Sequence, residues 1–164
     1  MRDPKWSRFY FSIMEQKPIR ILAVCLGNIC RSPICHGLLD HYASEYDREI
    51  IVDSAGTIGM HAGSPPDYRS VEVMQDHGHD ISHQRSRQFR HYDFEEYDVI
   101  LAMDSSNFRD IQNIAVSEEE RSKIHMVIEG TNVPDPYYGG DEGFENVYQM
   151  LDEAVKDWLN KLVA

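Results

Sequence analysis

The chain has 164 residues, the size of one ordinary domain, so we expect a single globular domain. Asp and Glu outnumber Lys and Arg by 28 to 16, and the net charge of −12 argues against nucleic acid and anionic membrane surfaces as partners. A hydrophobic content of 41% with 27% charged residues is typical of a folded protein rather than a disordered chain.

Three cysteines, Cys25, Cys30 and Cys35, lie close together in the sequence. Their odd number and spacing suit neither a disulfide framework nor a structural zinc site, and they favour a reducing, cytoplasmic location. No apolar stretch approaches the ~20 residues that span a bilayer, and the N-terminus lacks the apolar region of a secretory signal. We expect residues 1–17 to form an N-terminal arm and residues 18–164 to form the domain.

Apolar and helical patterns alternate along the rest of the chain. Buried strands are predicted at 19–25, 49–56, 97–104 and 124–128. Helices are predicted from Ser32 to about Tyr46, within 65–78, within 104–114, as a capped turn at 117–123, and from Phe144 to Leu162. Strands that alternate with helices predict an α/β, doubly wound parallel sheet with helices on both faces. Ligands of such sheets bind beyond the carboxyl ends of the strands.

The loop VCLGNICRSP, residues 24–33, joins the first strand to the first helix and predicts an anion site. Backbone N–H groups and the positive end of the helix dipole converge at such a loop. Gly27 and Asn28 are residue types that readily adopt left-handed dihedrals, and Arg31 offers a bidentate fork suited to phosphate. These groups favour the thiolate form of Cys25, a nucleophile aimed at bound phosphate, and the Ser32 hydroxyl can donate to its sulfur.

The segment CLGNICRS at 25–32, together with DPYYGG at 135–140, resembles the low-molecular-weight protein tyrosine phosphatases. Further matches are SAGT at 54–57, PPDYR at 65–69, HG at 77–78 and AMDSSNFRDI at 102–111. The resemblance covers the chain from about Ile19 to its end. It implies a flavodoxin-like three-layer sandwich with a four-stranded parallel sheet, and hydrolysis of phosphotyrosine in proteins or peptides without a metal or cofactor. Phosphate, vanadate and similar oxyanions would act as inhibitors.

The resemblance also implies a role for individual residues. Cys25 would form a phosphocysteine, Arg31 would hold phosphate oxygens, and Asp135 would protonate the leaving phenolate and then activate water. The phosphate-binding loop would comprise Leu26, Gly27, Asn28, Ile29, Cys30 and Ser32. The side chains expected to support Asn28 are those of Ser32, Ser54 and His83. The wall of the substrate pocket would comprise Met60, Tyr137 and Tyr138.

Two departures from the family pattern and one open question concern the site. Cys35, His36 and Gly37 follow RSPI, where the family usually continues Ala-Glu, and Met60 stands where many members carry an aromatic residue. Cys30 either packs within the loop or forms a reversible disulfide with Cys25 that protects against overoxidation.

Other functions remain as alternatives. A protein-arginine phosphatase is one, although the apolar Ile29 favours an aromatic substrate. A thiol-dependent arsenate reductase on the same fold needs further cysteines downstream, and this chain has none after Cys35. A phosphocarrier would need neither Arg31 nor the acid Asp135, and a non-catalytic anion-binding module is expected if Asp135 lies far from Cys25.

Overall fold

The computed structural model describes residues 16–164, in which four strands alternate with six helices. The strands are β1 (Ile19–Cys25), β2 (Ile50–Gly56), β3 (Val99–Ala102) and β4 (Ile124–Met126). The helices are α1 (Arg31–Ala43), α2 (Tyr68–Asp76), α3 (Asp93–Glu96), α4 (Ser105–Ile114), α5 (Glu118–Arg121) and α6 (Asp141–Val163). The predicted N-terminal arm lies, up to residue 15, outside the described residues.

The four strands form one parallel sheet in the order β2-β1-β3-β4. β1 pairs with β2 on one side and with β3 on the other, so the chain crosses over β1 between its second and third strands. This reversal of strand order opens a crevice at the carboxyl ends of β1 and β3, where doubly wound sheets bind ligands. The predicted fold class is confirmed.

Both faces of β1 are buried because its residues, apart from Arg20, are apolar. Ile21 and Ala23 pack into a core shared with α1 and α6, whereas Leu22 and Val24 pack into a second core on the opposite face of the sheet. Phe94 of α3 and Ile111 of α4 fill that second core. Helices therefore cover both sides of the strand that leads into the loop, which fixes the loop on a rigid base.

Several element boundaries differ from those predicted. Helix α1 begins at Arg31 with Cys30 in the capping position, because the hydroxyl of Ser32, the predicted cap, contacts Cys25 and Asn28 instead. It ends at Ala43, short of the predicted Tyr46. The longest helix, α6, is amphipathic, and within residues 16–164 no helix is long and apolar enough to cross a membrane.

Candidate active site

The candidate nucleophile, Cys25, is the last residue of β1, and its side chain is almost fully buried. Its Sγ lies 3.0 Å from the Ser32 Oγ and accepts a hydrogen bond of 3.3 Å from the Asn28 N–H. Asn28 lies in the turn that connects β1 to α1 and Ser32 lies in the first turn of α1, so the sulfur faces the N-terminal end of that helix. Donors and a helix N-terminus at this position favour negative charge on the sulfur or on a bound anion.

The carbonyls of the loop are held away from its centre by donors in neighbouring segments. Those of Gly27, Ile29 and Cys30 accept from Ser86 Oγ at 3.0 Å, Asp67 N at 2.8 Å and Ser70 Oγ at 3.1 Å, respectively. The C=O and the N–H of a peptide group point in opposite directions. Carbonyls that point out of the loop therefore leave the N–H groups facing its inside. This is the arrangement that binds phosphate through backbone N–H groups.

Asn28 fixes the shape of the loop. It is the only non-glycine residue among 16–164 with a positive φ, 57°, and it is buried. Its Nδ2 donates to Ser32 Oγ at 2.8 Å and to Ser54 Oγ at 2.9 Å, while its Oδ1 accepts from the Arg87 N–H at 3.0 Å. These three hydrogen bonds offset the ~1–2 kcal/mol that a left-handed conformation costs a residue with a Cβ.

The expectations for Gly27 and His83 are corrected by the structure. Gly27 does not adopt a left-handed conformation; a Cβ there would instead lie 3.1 Å from the His61 ring, which is tighter than ordinary contact. His83 is exposed and lies beside the groove between the end of α2 and α1, away from Asn28. The histidine that reaches the supporting network is His36 of α1, whose Nδ1 lies 3.2 Å from Ser54 Oγ.

Arg31, the first residue of α1, is buried beside a carboxylate that the sequence did not point to. Its Nη1 donates to Asp104 Oδ2 at 2.6 Å and to the Val133 carbonyl at 3.0 Å, and its side chain is only 3% exposed. Asp104 follows β3 and caps α4, with its Oδ1 accepting from Asn107 N at 2.8 Å. One sequence signal could have identified it: an acidic residue at the carboxyl end of the strand next to β1 faces the same crevice.

Asp135, the candidate acid, lies on the segment before α6 and approaches Arg31 from the opposite side. Its Oδ2 is 3.9 Å from Arg31 Nη2, its Oδ1 accepts from the Tyr137 N–H at 3.1 Å, and its side chain is 40% exposed. The structure thus brings Asp135 to Arg31, from which the sequence separates it by 104 positions, and Arg31 follows the loop that begins at Cys25. A partly exposed carboxyl at the mouth of a phosphate loop can exchange protons with a substrate and with water.

The segment that carries Asp135 is tied to the phosphate loop through Arg69 of α2. Its Nη2 donates to the Tyr137 carbonyl at 2.9 Å, and its Nη1 donates to the Gly139 carbonyl at 3.2 Å. Its Nε donates at 3.0 Å to Asp67, whose backbone N–H holds the carbonyl of Ile29. The nucleophile loop and the acid segment are therefore connected by one partly buried arginine.

Cys30 and Cys35 are poor candidates for the nucleophile. Burial, with the nearby charges of Asp67 and Cys25, raises the pKa of the Cys30 thiol to about 12. Burial, with the nearby charge of Cys25, raises the pKa of Cys35 to about 12 as well. Both thiols stay protonated at neutral pH, and all three cysteines are present as thiols.

The residues predicted to form the pocket wall lie at the surface. Tyr138 is 93% exposed and Met60 is 79% exposed, whereas Tyr137 is 38% exposed with its ring edge-on to that of Tyr138. Ile29 of the loop is half-buried, and Leu26 is exposed. Met60 and Tyr138 are therefore exposed side chains, and their place in the pocket wall stays a prediction.

A buried thiol at the end of a central parallel strand, in a loop whose amides face inward beside arginine, defines a phosphate-binding site of the cysteine-dependent phosphatase class. The family model described as "Low molecular weight phosphotyrosine protein phosphatase" matches residues 20–164. The chain belongs to that family, which confirms the prediction of the family and of a cysteine-dependent phosphatase.

Individual relatives cover nearly the whole domain. The low molecular weight phosphotyrosine protein phosphatase of Homo sapiens is 41% identical over 159 residues, covering 90% of this chain and 98% of that protein. A crystal structure of a protein tyrosine phosphatase from Entamoeba histolytica, with Hepes in its active site, is 35% identical and covers 88% of this chain and 96% of that one, with a TM-score of 0.80. Wzb of Vibrio vulnificus in complex with benzylphosphonate is 32% identical with a TM-score of 0.79, covering 87% and 98%.

Proposed function

We propose that this chain hydrolyses phosphotyrosine in proteins or peptides, with Cys25 as nucleophile, Arg31 as phosphate ligand and Asp135 as general acid and base. The observation that carries the proposal is that the Asp135 carboxyl lies 3.9 Å from Nη2 of Arg31, the residue at the end of the loop that holds the Cys25 sulfur. A phosphate seated in the loop would meet the sulfur on one side and the acid near its leaving oxygen.

The reaction proceeds in two balanced steps. In the first, the Cys25 thiolate attacks phosphorus, the bond from phosphorus to the tyrosine oxygen breaks, and protonated Asp135 gives its proton to the departing phenolate. In the second, water attacks the phosphocysteine while the Asp135 carboxylate takes a proton from that water, and the bond from sulfur to phosphorus breaks. The Ser32 hydroxyl, 3.0 Å from the sulfur, stabilises the thiolate that leaves.

An aromatic phosphate suits the entrance better than a phosphoguanidinium does. Ile29 in the loop and the exposed Met60, which we assign to the rim, would offer apolar contact, against which the polar nitrogens of phosphoarginine would lose hydration without finding partners. The related Wzb of Vibrio vulnificus was crystallised with benzylphosphonate, an aromatic phosphonate. Phosphate and vanadate are the expected inhibitors because they match the loop, and the cysteine pattern favours a cytoplasmic location.

The test compares leaving groups in Asp135→Asn. The readout is kcat/KM, which reports the first step alone, because the second step is the same for every substrate. With aryl phosphates whose phenols leave poorly, we expect kcat/KM to fall by about 10²–10⁴-fold, and much less with para-nitrophenyl phosphate, whose phenolate needs little protonation. Asp141→Asn, which changes an exposed aspartate at the start of α6, is the matched control and should leave kcat/KM unchanged. Equal losses with both kinds of ester would show that Asp135 only positions the loop.

A second variant separates the nucleophile from the phosphate cradle. Cys25→Ser should still bind vanadate but should lose turnover, because a hydroxyl is a far weaker nucleophile than a thiolate at neutral pH. The assays contain no added metal. Turnover near that of the unmodified enzyme would refute the role of Cys25.

A further inference from the structure

His36 occupies a position in the site that neither the sequence pattern nor the proposed function explains. It lies on the second turn of α1, its side chain is only 13% exposed, and it faces β2. Its Nδ1 is 3.2 Å from Ser54 Oγ, and its Nε2 is 3.2 Å from Asp40 Oδ2 on the next turn of the same helix. Both ring nitrogens therefore have polar partners.

The direction of the hydrogen bonds around Asn28 can be worked out from its amide. The Oδ1 atom is identified by the Arg87 N–H that donates to it, so the opposite atom is Nδ2, which donates to both Ser32 Oγ and Ser54 Oγ. Each serine oxygen thus accepts a hydrogen bond from Asn28, so each serine hydroxyl must donate to another acceptor. The Ser32 hydroxyl donates to the Cys25 sulfur, 3.0 Å away.

The Ser54 hydroxyl has its acceptor in His36. The Asp40 carboxylate can only accept, so it selects the tautomer of His36 that carries its proton on Nε2. In that tautomer Nδ1 carries no proton, and it accepts a hydrogen bond from the Ser54 hydroxyl. The Asn28 amide then donates to Ser54, and Ser54 donates to His36. These bonds hold the side chain of Asn28, and with it the backbone whose N–H donates to the Cys25 sulfur.

We propose that His36 is a positioning residue for the phosphate loop, acting through Ser54 on Asn28. It supplies the support that the resemblance assigned to His83, and it does so from the position where this chain departs from the family pattern. The inference rests on the proposed function for its kinetic readout, but binding of vanadate reports on the same loop without any turnover.

The decisive variants differ in which hydrogen bond they keep. His36→Asn places an amide oxygen near the position of Nδ1 and can still accept from Ser54, whereas His36→Leu keeps bulk but accepts nothing. We expect His36→Leu to lower kcat and to weaken vanadate binding by about three- to tenfold, the effect of one neutral hydrogen bond, and His36→Asn to recover most of both. His41→Leu, an exposed histidine on the same helix, is the control and should change neither.

A double-mutant cycle shows whether His36 acts through Ser54. In a Ser54→Ala background, His36→Leu should cause no further loss, because the hydroxyl that it receives is already gone. The same fold-loss in both backgrounds would mean that His36 only packs, and it would overturn the proposal. So would a fall in melting temperature with kcat and vanadate affinity unchanged, or equal damage from His36→Asn and His36→Leu.

Two further outcomes are distinguishable. His83→Leu should behave like the unmodified enzyme; a loss there, with none in His36→Leu, would restore the assignment made from the resemblance and reject ours. If the unmodified chain bound vanadate but hydrolysed no aryl phosphate, the proposed function would fail, while the vanadate affinities of the His36 variants would still decide the positioning role.

Discussion

Removal of the Asp104 carboxylate should destabilise the fold more strongly than its position at a helix start suggests. Asp104 has two tasks: its Oδ2 accepts from Arg31 at 2.6 Å, and its Oδ1 caps α4 at 2.8 Å. Asp104→Ser keeps a capping oxygen but removes the charge beside Arg31, whereas Asp104→Ala removes both. The two variants therefore separate the ion pair from the cap.

The magnitude follows from burial. The Arg31 side chain is 3% exposed and that of Asp104 is 20% exposed, so loss of the carboxylate leaves a guanidinium out of water beside the Val133 carbonyl and the more distant Asp135. Breaking a buried pair by removing one partner costs about 3–5 kcal/mol, and the partial exposure of Asp104 places this case near the lower end. Loss of the cap adds about 1 kcal/mol. At roughly 2–4 °C per kcal/mol for a domain of this size, Asp104→Ser should lower the melting temperature by about 6–12 °C, and Asp104→Ala by a few degrees more.

The assay is thermal unfolding in the absence of phosphate, monitored by calorimetry or circular dichroism. Asp110→Ser, which removes an exposed aspartate on the same helix, is the matched control and should shift the melting temperature little. If Asp104→Ser and Asp110→Ser had the same melting temperature, the buried Arg31 would not need the Asp104 carboxylate to balance its charge, and the account of the buried pair would be wrong.

Three other predictions concern the mouth and the redox chemistry of the site. Arg69→Met should lower kcat/KM by about three- to tenfold for aryl phosphates with poor leaving groups, because it removes two hydrogen bonds to the acid segment; an equal loss of kcat/KM for para-nitrophenyl phosphate would contradict this reason. Cys30→Ser should reduce the activity that dithiothreitol restores after mild peroxide, and unchanged recovery would remove Cys30 from the protection of Cys25. Ile29→Thr should raise the ratio of kcat/KM for phosphoarginine to that for phosphotyrosine, and Met60→Trp should lower it; a ratio that neither variant moves would refute the apolar slot.

The sheet and the nucleophile loop could be predicted because their signals are local. A run of apolar residues predicts a strand buried on both faces, and the loop that follows β1 contains its own glycine, asparagine and arginine within seven positions of Cys25. Strand β3 spans Val99–Ala102 and is shorter than the predicted 97–104. The residues on either side of it turn away into loops.

The supports of the loop could not be predicted in the same way. Asp104 reaches Arg31 across 73 positions, and His36 reaches Ser54 across 18. Such contacts depend on how strands are ordered and on which face of α1 meets β2, and both follow from tertiary packing. The resemblance predicts His83 as the support, but its side chain is exposed, whereas Nδ1 of His36 lies 3.2 Å from Ser54 Oγ.

The overall charge of −12 raises the question of how this chain attracts a phosphate dianion. Arg31 does not supply a net positive charge, because the Asp104 carboxylate lies 2.6 Å from it. The attraction must then come from groups that carry dipoles instead of full charges: the inward-facing amides of the loop and the N-terminus of α1. Arg31 contributes direction, with donors fixed in one plane by Asp104 and the Val133 carbonyl. We therefore expect the shape of the loop, set by Asn28 and its hydrogen bonds, to matter as much as the arginine itself.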